Sequence, residues 1–205
     1  MMEAHLRKGL VELGLGDDAA PSLLRFGELL LEKNKVMNLT AITDPEDVAS
    51  LHFLDSAALL TLADLKDKTV VDVGTGAGFP GMPLKILEPS IRMTLLDSLG
   101  KRITFLQEVC DELGLQNVQC VHARAEEFAA EHRQSFDFAV SRAVANLSVL
   151  CELCLPLVKA GGFWSAGSMR AWMNSSKTSW QNWILTTSFP FPMRSWNPLK
   201  RLSRS

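Results

Sequence analysis

The stretch Val70-Val71-Asp72-Val73-Gly74-Thr75-Gly76-Ala77-Gly78-Phe79-Pro80-Gly81 constrains this chain more than any other. Its valines read as a buried strand, because β-branched side chains suit a pleated, covered surface. Glycines at alternate positions let the backbone take positive φ and pass close to a ligand. Met82 to Leu87 then opens a helix. Strand, glycine turn and helix together make the opening unit of an open α/β sheet, whose ligands bind at the carboxyl ends of the strands.

The same alternation continues downstream. Ile91–Leu96, Val118–Val121 and Phe136–Val140 are short apolar runs that read as strands. Between and after them, Lys101–Leu113, Glu126–His132 and Leu147–Lys159 read as helices, with Gly161-Gly162 expected to end the last one. Short connections of this kind predict a parallel, Rossmann-like sheet covered on both faces. Before the first strand the chain reads as helical. Leu23, Leu24, Phe26, Leu30 and Leu31 share a helical spacing, and Asp44-Pro45 forms a capped helix start ahead of Val48, Leu51, His52, Leu54 and Asp55. The expected organisation is a helical extension over 1–66, a core over 67–162 and a separate tail over 163–205.

Composition enters through that tail. The chain of 205 residues has a net charge of −2, yet residues 1–152 carry −9 while 153–205 contain no Asp or Glu and carry +7. All five tryptophans (164, 172, 180, 183, 196) fall in the basic stretch. The alternation of strands and helices cannot be followed there, and three prolines between 190 and 198 argue against a central strand. The last strands are therefore expected to be missing or aberrant. The preferred reading is a segment translated in a shifted frame; the alternative is a basic, aromatic tail that grips RNA by stacking and phosphate contacts. Elsewhere no run approaches the roughly 18 apolar residues of a membrane span, and the start lacks the apolar core of a signal peptide. Four cysteines in a chain this long do not form a disulfide framework, so a reduced cytoplasmic protein is expected.

Two cofactors compete for the glycine turn. Gly76, Gly78 and Gly81 match the G-x-G-x-x-G of dinucleotide binders, a weak signal alone. Asp97 ends the next strand, where a carboxylate could accept hydrogen bonds from ribose hydroxyls of either cofactor. Asp72, two residues before Gly74, tips the balance, since an acid there repels a pyrophosphate and suits the ammonium and sulfonium of S-adenosylmethionine. Gly74, Gly76 and Gly78 are thus candidate cofactor contacts together with Asp97.

The order of several motifs adds a resemblance. Asn38-Leu39-Thr40 with Asp44-Pro45, His52-x-Leu54-Asp55-Ser56, the Val71–Gly81 turn, Leu95-Leu96-Asp97-Ser98-Leu99-Gly100-Lys101-Arg102, Arg124-Ala125-Glu126-Glu127 and Ser141-Arg142-Ala143 follow one another. This resembles the small-subunit ribosomal RNA methyltransferase G family, also called glucose-inhibited division protein B, over about residues 20–162. The resemblance implies a class I S-adenosylmethionine-dependent methyltransferase fold with an N-terminal helical extension. It also implies methylation of N7 of a guanine in 16S rRNA, with the small ribosomal subunit as partner; no membrane and no metal are expected, and the oligomeric state is left open with a monomer favoured. Carried over, Gly74 and Phe79 would contact the methionine moiety, Asp97 the ribose, and Ala125 and Glu126 the adenine. Arg142 would lie between cofactor and substrate as the candidate catalytic residue. Lys101, Arg102 and Arg142 would supply positive charge for RNA phosphates or the guanine O6 edge.

Two further signals have plainer readings. Cys151 and Cys154 sit in an apolar helix with no second pair nearby, so core packing is favoured over zinc or redox chemistry. His52 and Asp55, one helical turn apart, could contact RNA or form a satisfied structural pair. Against the rRNA methyltransferase stand a small-molecule methyltransferase and a non-catalytic cofactor-binding or RNA-associated protein.

Overall fold

The computed structural model describes residues 2–142, 147–166 and 184–186. Helices α1 (Met2–Glu12) and α2 (Ala20–Met37) open the chain. The next helical stretch runs through α3 (Pro45–Asp47), a π-helical segment Val48–Leu54 and α4 (Asp55–Ala57), then tightens into a 3₁₀ turn at Ala58–Thr61. Asp44 caps it as expected, its Oδ1 accepting from the N–H groups of Glu46 (2.9 Å) and Asp47 (3.1 Å).

The core alternates β1 (Thr69–Val73), α5 (Gly81–Leu87), β2 (Arg92–Asp97), α6 (Gly100–Glu112), β3 (Val118–His122), α7 (Ala125–Glu131), β4 (Phe136–Ser141), α8 (Leu147–Cys154), β5 (Val158–Ala166) and β6 (Ile184–Thr186). The strands form one sheet in the order β3-β2-β1-β4-β5-β6. All neighbouring pairs are parallel except β5 with β6, which is antiparallel. Period-two alternation sorts the side chains to two faces. Val70, Met93, Leu95, Phe138 and Val140 meet α2, α5, α6 and the extension on one side. Val71, Val73, Leu96 and Ala139 meet Phe128, Leu150 and Cys154 of α7 and α8 on the other. Cys154 is buried there, which pushes its thiol up to about 12, and Cys151 is also raised by burial. Both thiols are packing groups in the apolar cluster.

The sequence reading misplaces the end of α8. The helix stops at Cys154, a 3₁₀ turn covers Leu155–Leu157, and β5 already begins at Val158. Pro156 is the reason, since it has no N–H to donate within a helix. Gly161-Gly162 lies inside β5, at a bulge where Phe136 pairs with Val158 but Phe138 pairs with Phe163. Gly161 has φ +81°, and a Cβ on Gly162 would stand 2.6 Å from the Asp137 carbonyl oxygen. A fifth parallel strand is therefore present, followed by a final strand of three residues. The rest of the stretch read as a tail, 167–183 and 187–205, lies outside the described residues.

Candidate functional site

A cavity of about 700 Å³ opens where β1 and β2 end, between the glycine turn and the N-terminal extension. Its floor is Gly74, Thr75, Gly76, Ala77 and Phe79; Asp97, Ser98 and Arg102 stand on one side. Leu39, Thr40, Ile42, Leu51, His52 and Arg142 stand on the other. Gly74 and Gly76 have φ of 69° and 61°, which an L side chain rarely adopts. The N–H groups of Gly74 and Thr75 both return to the Leu96 carbonyl, tying the turn to the end of β2.

Asp97 lines this cavity at the end of β2. Its Oδ2 accepts from the Gly76 N–H at 2.9 Å and from Arg102 Nη1 at 3.3 Å, and its Oδ1 accepts from the Leu99 N–H at 2.9 Å. A carboxylate so held is aimed, because a rotamer change would break three hydrogen bonds at once.

Asp72 does something other than the sequence reading supposed. It does not line the cavity; it is fully buried beneath the turn. Its Oδ2 accepts from Thr75 Oγ1 (2.7 Å) and from the Gly81 N–H (2.8 Å), pinning the turn to the start of α5. Its Oδ1 has no hydrogen-bond partner among the described residues. Burial pushes this carboxyl up to about 6. A cation in the cavity above would stabilise its ionised form.

The glycines divide by role. Around Gly76 a Cβ would meet only the Gly74 carbonyl oxygen, at 3.9 Å, so the space there is open. A Cβ on Gly78 would come within 2.7 Å of Met82 Cγ and 2.8 Å of Leu106 Cδ2, so Gly78 is small for packing against α5 and α6. Gly78 does not line the cavity, nor do Ala125 and Glu126, which begin α7 beyond the end of β3.

On the far wall sequence reasoning placed Arg142 but missed that Thr40 and His52 join it there. α2 ends at Asn38 in the left-handed region (φ 49°), and Asn34 then clasps the chain beyond it. Asn34 Nδ2 donates to the Thr40 carbonyl (3.0 Å), and its Oδ1 accepts the Thr40 N–H (2.9 Å). From the end of β4, Arg142 reaches into the extension. Nη1 donates to the Leu51 carbonyl (2.9 Å) and to Asp55 Oδ2 (3.2 Å), while Nη2 lies 2.8 Å from His52 Nδ1. His52 in turn lies 3.0 Å from Thr40 Oγ1 through Nε2 and stacks on Phe79 at 4.2 Å between centroids. Arg142 Cζ is 5.0 Å from the centroid of the same ring. Of the two readings of His52 and Asp55, the structure favours the satisfied pair: both hold Arg142. Arg142 is thus a buried tie rather than a free cation, though it still borders the cavity. Arg102 is partly engaged by Asp97, and Lys101 is exposed at the start of α6.

Burial, and then the nearby Arg142 charge, hold His52 down at about 4, with Asp55 opposing. The only signal in the sequence for this wall was the ordered recurrence of Asn38-Leu39-Thr40, His52-x-Leu54-Asp55 and Arg142, which carries no geometry.

The family model described as rRNA small subunit methyltransferase G matches residues 19–176, extending past Gly162. The chain is 53% identical over 163 residues to a ribosomal RNA small subunit methyltransferase G of Alkaliphilus metalliredigens, covering 77% of this chain and 68% of that relative. It is 48% identical over 159 residues to one from Clostridium botulinum, covering 76% and 66%. It thus spans about two thirds of the length of these curated relatives. Among solved structures it is similar to a putative caffeoyl-CoA O-methyltransferase from Staphylococcus aureus (TM-score 0.51, 17% identity, 68% of this chain and 65% of that one). It is also similar to TYW2 of P. horikoshii in complex with MeSAdo (TM-score 0.50, 14% identity, 57% and 43%). At such identities the likeness is one of fold, that of the class I methyltransferases.

Proposed function

The chain belongs to the rRNA small subunit methyltransferase G family, and from that premise we propose that it transfers a methyl group from S-adenosylmethionine to N7 of a guanine in 16S rRNA. The observation that carries the reading is a single cavity bounded by two unlike walls. On one side are the open Gly74–Gly76 backbone and the fixed Asp97 carboxylate, and on the other are Thr40, His52 and Arg142. The first wall suits a nucleoside cofactor and the second a planar substrate. The partner is small-subunit RNA, met in the cytoplasm.

S-adenosylmethionine, when bound, supplies an electrophilic methyl group on a positively charged sulfur. Asp97 would accept from the ribose hydroxyls, and Gly74, Gly76 and Phe79 would border the methionine part. The adenine would meet Ala125 and Glu126 only by reaching past the cavity lining to the start of α7, and Gly78 would keep the turn seated on its helix. Asp72, ionised under the turn, provides negative potential where the positive charge sits. Guanine N7 already carries an in-plane lone pair, so no residue has to remove a proton before attack. The chain's contribution is alignment and electrostatics: a rigid floor, a rigid far wall and exclusion of water between them. Arg142 keeps the two walls in register and borders the substrate.

The test is calorimetric titration with S-adenosylhomocysteine alongside labelled methyl transfer to small-subunit RNA, for wild type and Arg142→Ala. Saturable binding with transfer to a guanine is expected, and Arg142→Ala should impair transfer more than binding. Transfer to free metabolites with none to subunit RNA would favour the small-molecule reading. Arg142→Ala at wild-type levels in both assays would remove Arg142 from the site.

A further inference from the structure

The direction of hydrogen bonding across the far wall fixes what Thr40 offers to the cavity. The Arg142 guanidinium has donors only, so His52 Nδ1, 2.8 Å from Nη2, must accept. His52 is then neutral and carries its proton on Nε2, the form that burial beside Arg142 favours. Nε2 donates to Thr40 Oγ1 at 3.0 Å, and the Ile42 N–H donates to the same oxygen at 3.1 Å. Both lone pairs of the hydroxyl are engaged. Its proton has to be given away, and no described residue accepts it. Thr40 lines the cavity, and Asn34 holds its backbone on both sides of its Cα.

We propose that the Thr40 hydroxyl is a fixed donor that reads O6 of the substrate guanine and thereby selects guanine over adenine; this rests on the guanine reading given above. Guanine presents two acceptors, N7 and O6, along one edge, whereas adenine presents N7 beside an amino donor. A donor directed at N7 would occupy the lone pair that has to attack, so O6 is its productive partner. Against adenine two donors would face each other, and neither would be satisfied. A hydrogen bond at O6 does not make N7 more nucleophilic. Thr40 therefore orients and discriminates, and His52 and Arg142 act through it as positioning residues.

The full chain loaded with S-adenosylhomocysteine is titrated with guanosine monophosphate and with 2-aminopurine ribonucleoside monophosphate, which lacks O6, followed by ligand-observed NMR. Wild type should bind the guanine nucleotide roughly tenfold more tightly. Thr40→Ser, which keeps the hydroxyl, should preserve that gap. Thr40→Val should abolish it, while a purely structural role would weaken both nucleotides alike. Equal affinities in wild type, an undiminished gap in Thr40→Val, or no binding of either nucleotide overturns the proposal. Methyl transfer to small-subunit RNA is measured on the same samples. A guanine preference without transfer upholds the donor and sinks the transferase reading, whereas transfer without the preference overturns the donor alone.

Discussion

Three buried titratable side chains set the chemistry of the turn and its opposite wall. Asp97 already accepts hydrogen bonds from Gly76, Leu99 and Arg102, so it is oriented before any ligand arrives. Asp97→Ala should lower S-adenosylhomocysteine affinity by roughly ten- to a hundredfold, read by calorimetry, since charge-assisted bonds to the ligand and the turn's anchor go together. Asp72 and His52 give opposite pH dependences. The folded His52 titrates at about 4 against 6.5 for a free imidazole. The unfolded chain therefore binds its proton first, and the stability that His52 contributes is complete above pH 6.5 and lost as pH falls toward 4. The folded Asp72 titrates at about 6 against 3.8, so its cost to stability is absent below 3.8 and grows as pH rises through 6. In thermal melts, His52→Asn should flatten the acid-side loss. Asp72→Asn should gain on wild type as pH rises from about 4 to about 7, by something on the order of 1–3 kcal/mol.

At the scale of the element, the glycine turn serves two masters. Gly76 is open to the cavity, so Gly76→Ala should cost only about 1 kcal/mol of left-handed strain while its methyl displaces cofactor, lowering affinity tenfold or more. Gly78→Ala combines φ +101° with contacts under 3 Å to Met82 and Leu106, and should destabilise by about 2–4 kcal/mol in denaturant melts. The two variants thus separate a glycine kept for a ligand from one kept for packing, a distinction invisible in the repeat Gly-x-Gly-x-Gly. Element identity was legible where period and punctuation agree: the valines before the glycine turn do form β1, and Asp44 caps as read. It failed at α8, where the apolar run was followed through Pro156 and Gly161-Gly162 was given the role of a stop. The sequence reads as a helix around Val48–Leu54, but its spacing does not distinguish the π-helical winding found there.

For the whole molecule, the extension and the sheet are joined at the cavity through Arg142. Asp55 is nearly fully buried beside that guanidinium. Arg142→Ala would leave a buried carboxylate without this cation, and should cost about 3 kcal/mol or more. Faster hydrogen exchange is expected in Val48–Leu54 while β1 and β2 stay protected. Uniformly accelerated exchange would show instead that the two parts do not come apart separately. The sequence by itself determined the open α/β core, the position of the cavity at the glycine turn and the acid at the end of β2. These depend on interactions within a strand, a turn or a cap, spanning a few residues. Only the tertiary structure decided that Asp72 looks inward and that Thr40, His52 and Arg142 form one wall. Arg142 bonds to Leu51, His52 and Asp55 across separations of 91, 90 and 87 residues. No local pattern encodes such contacts; they exist because packing the extension against the sheet removes apolar surface from water and brings those side chains together.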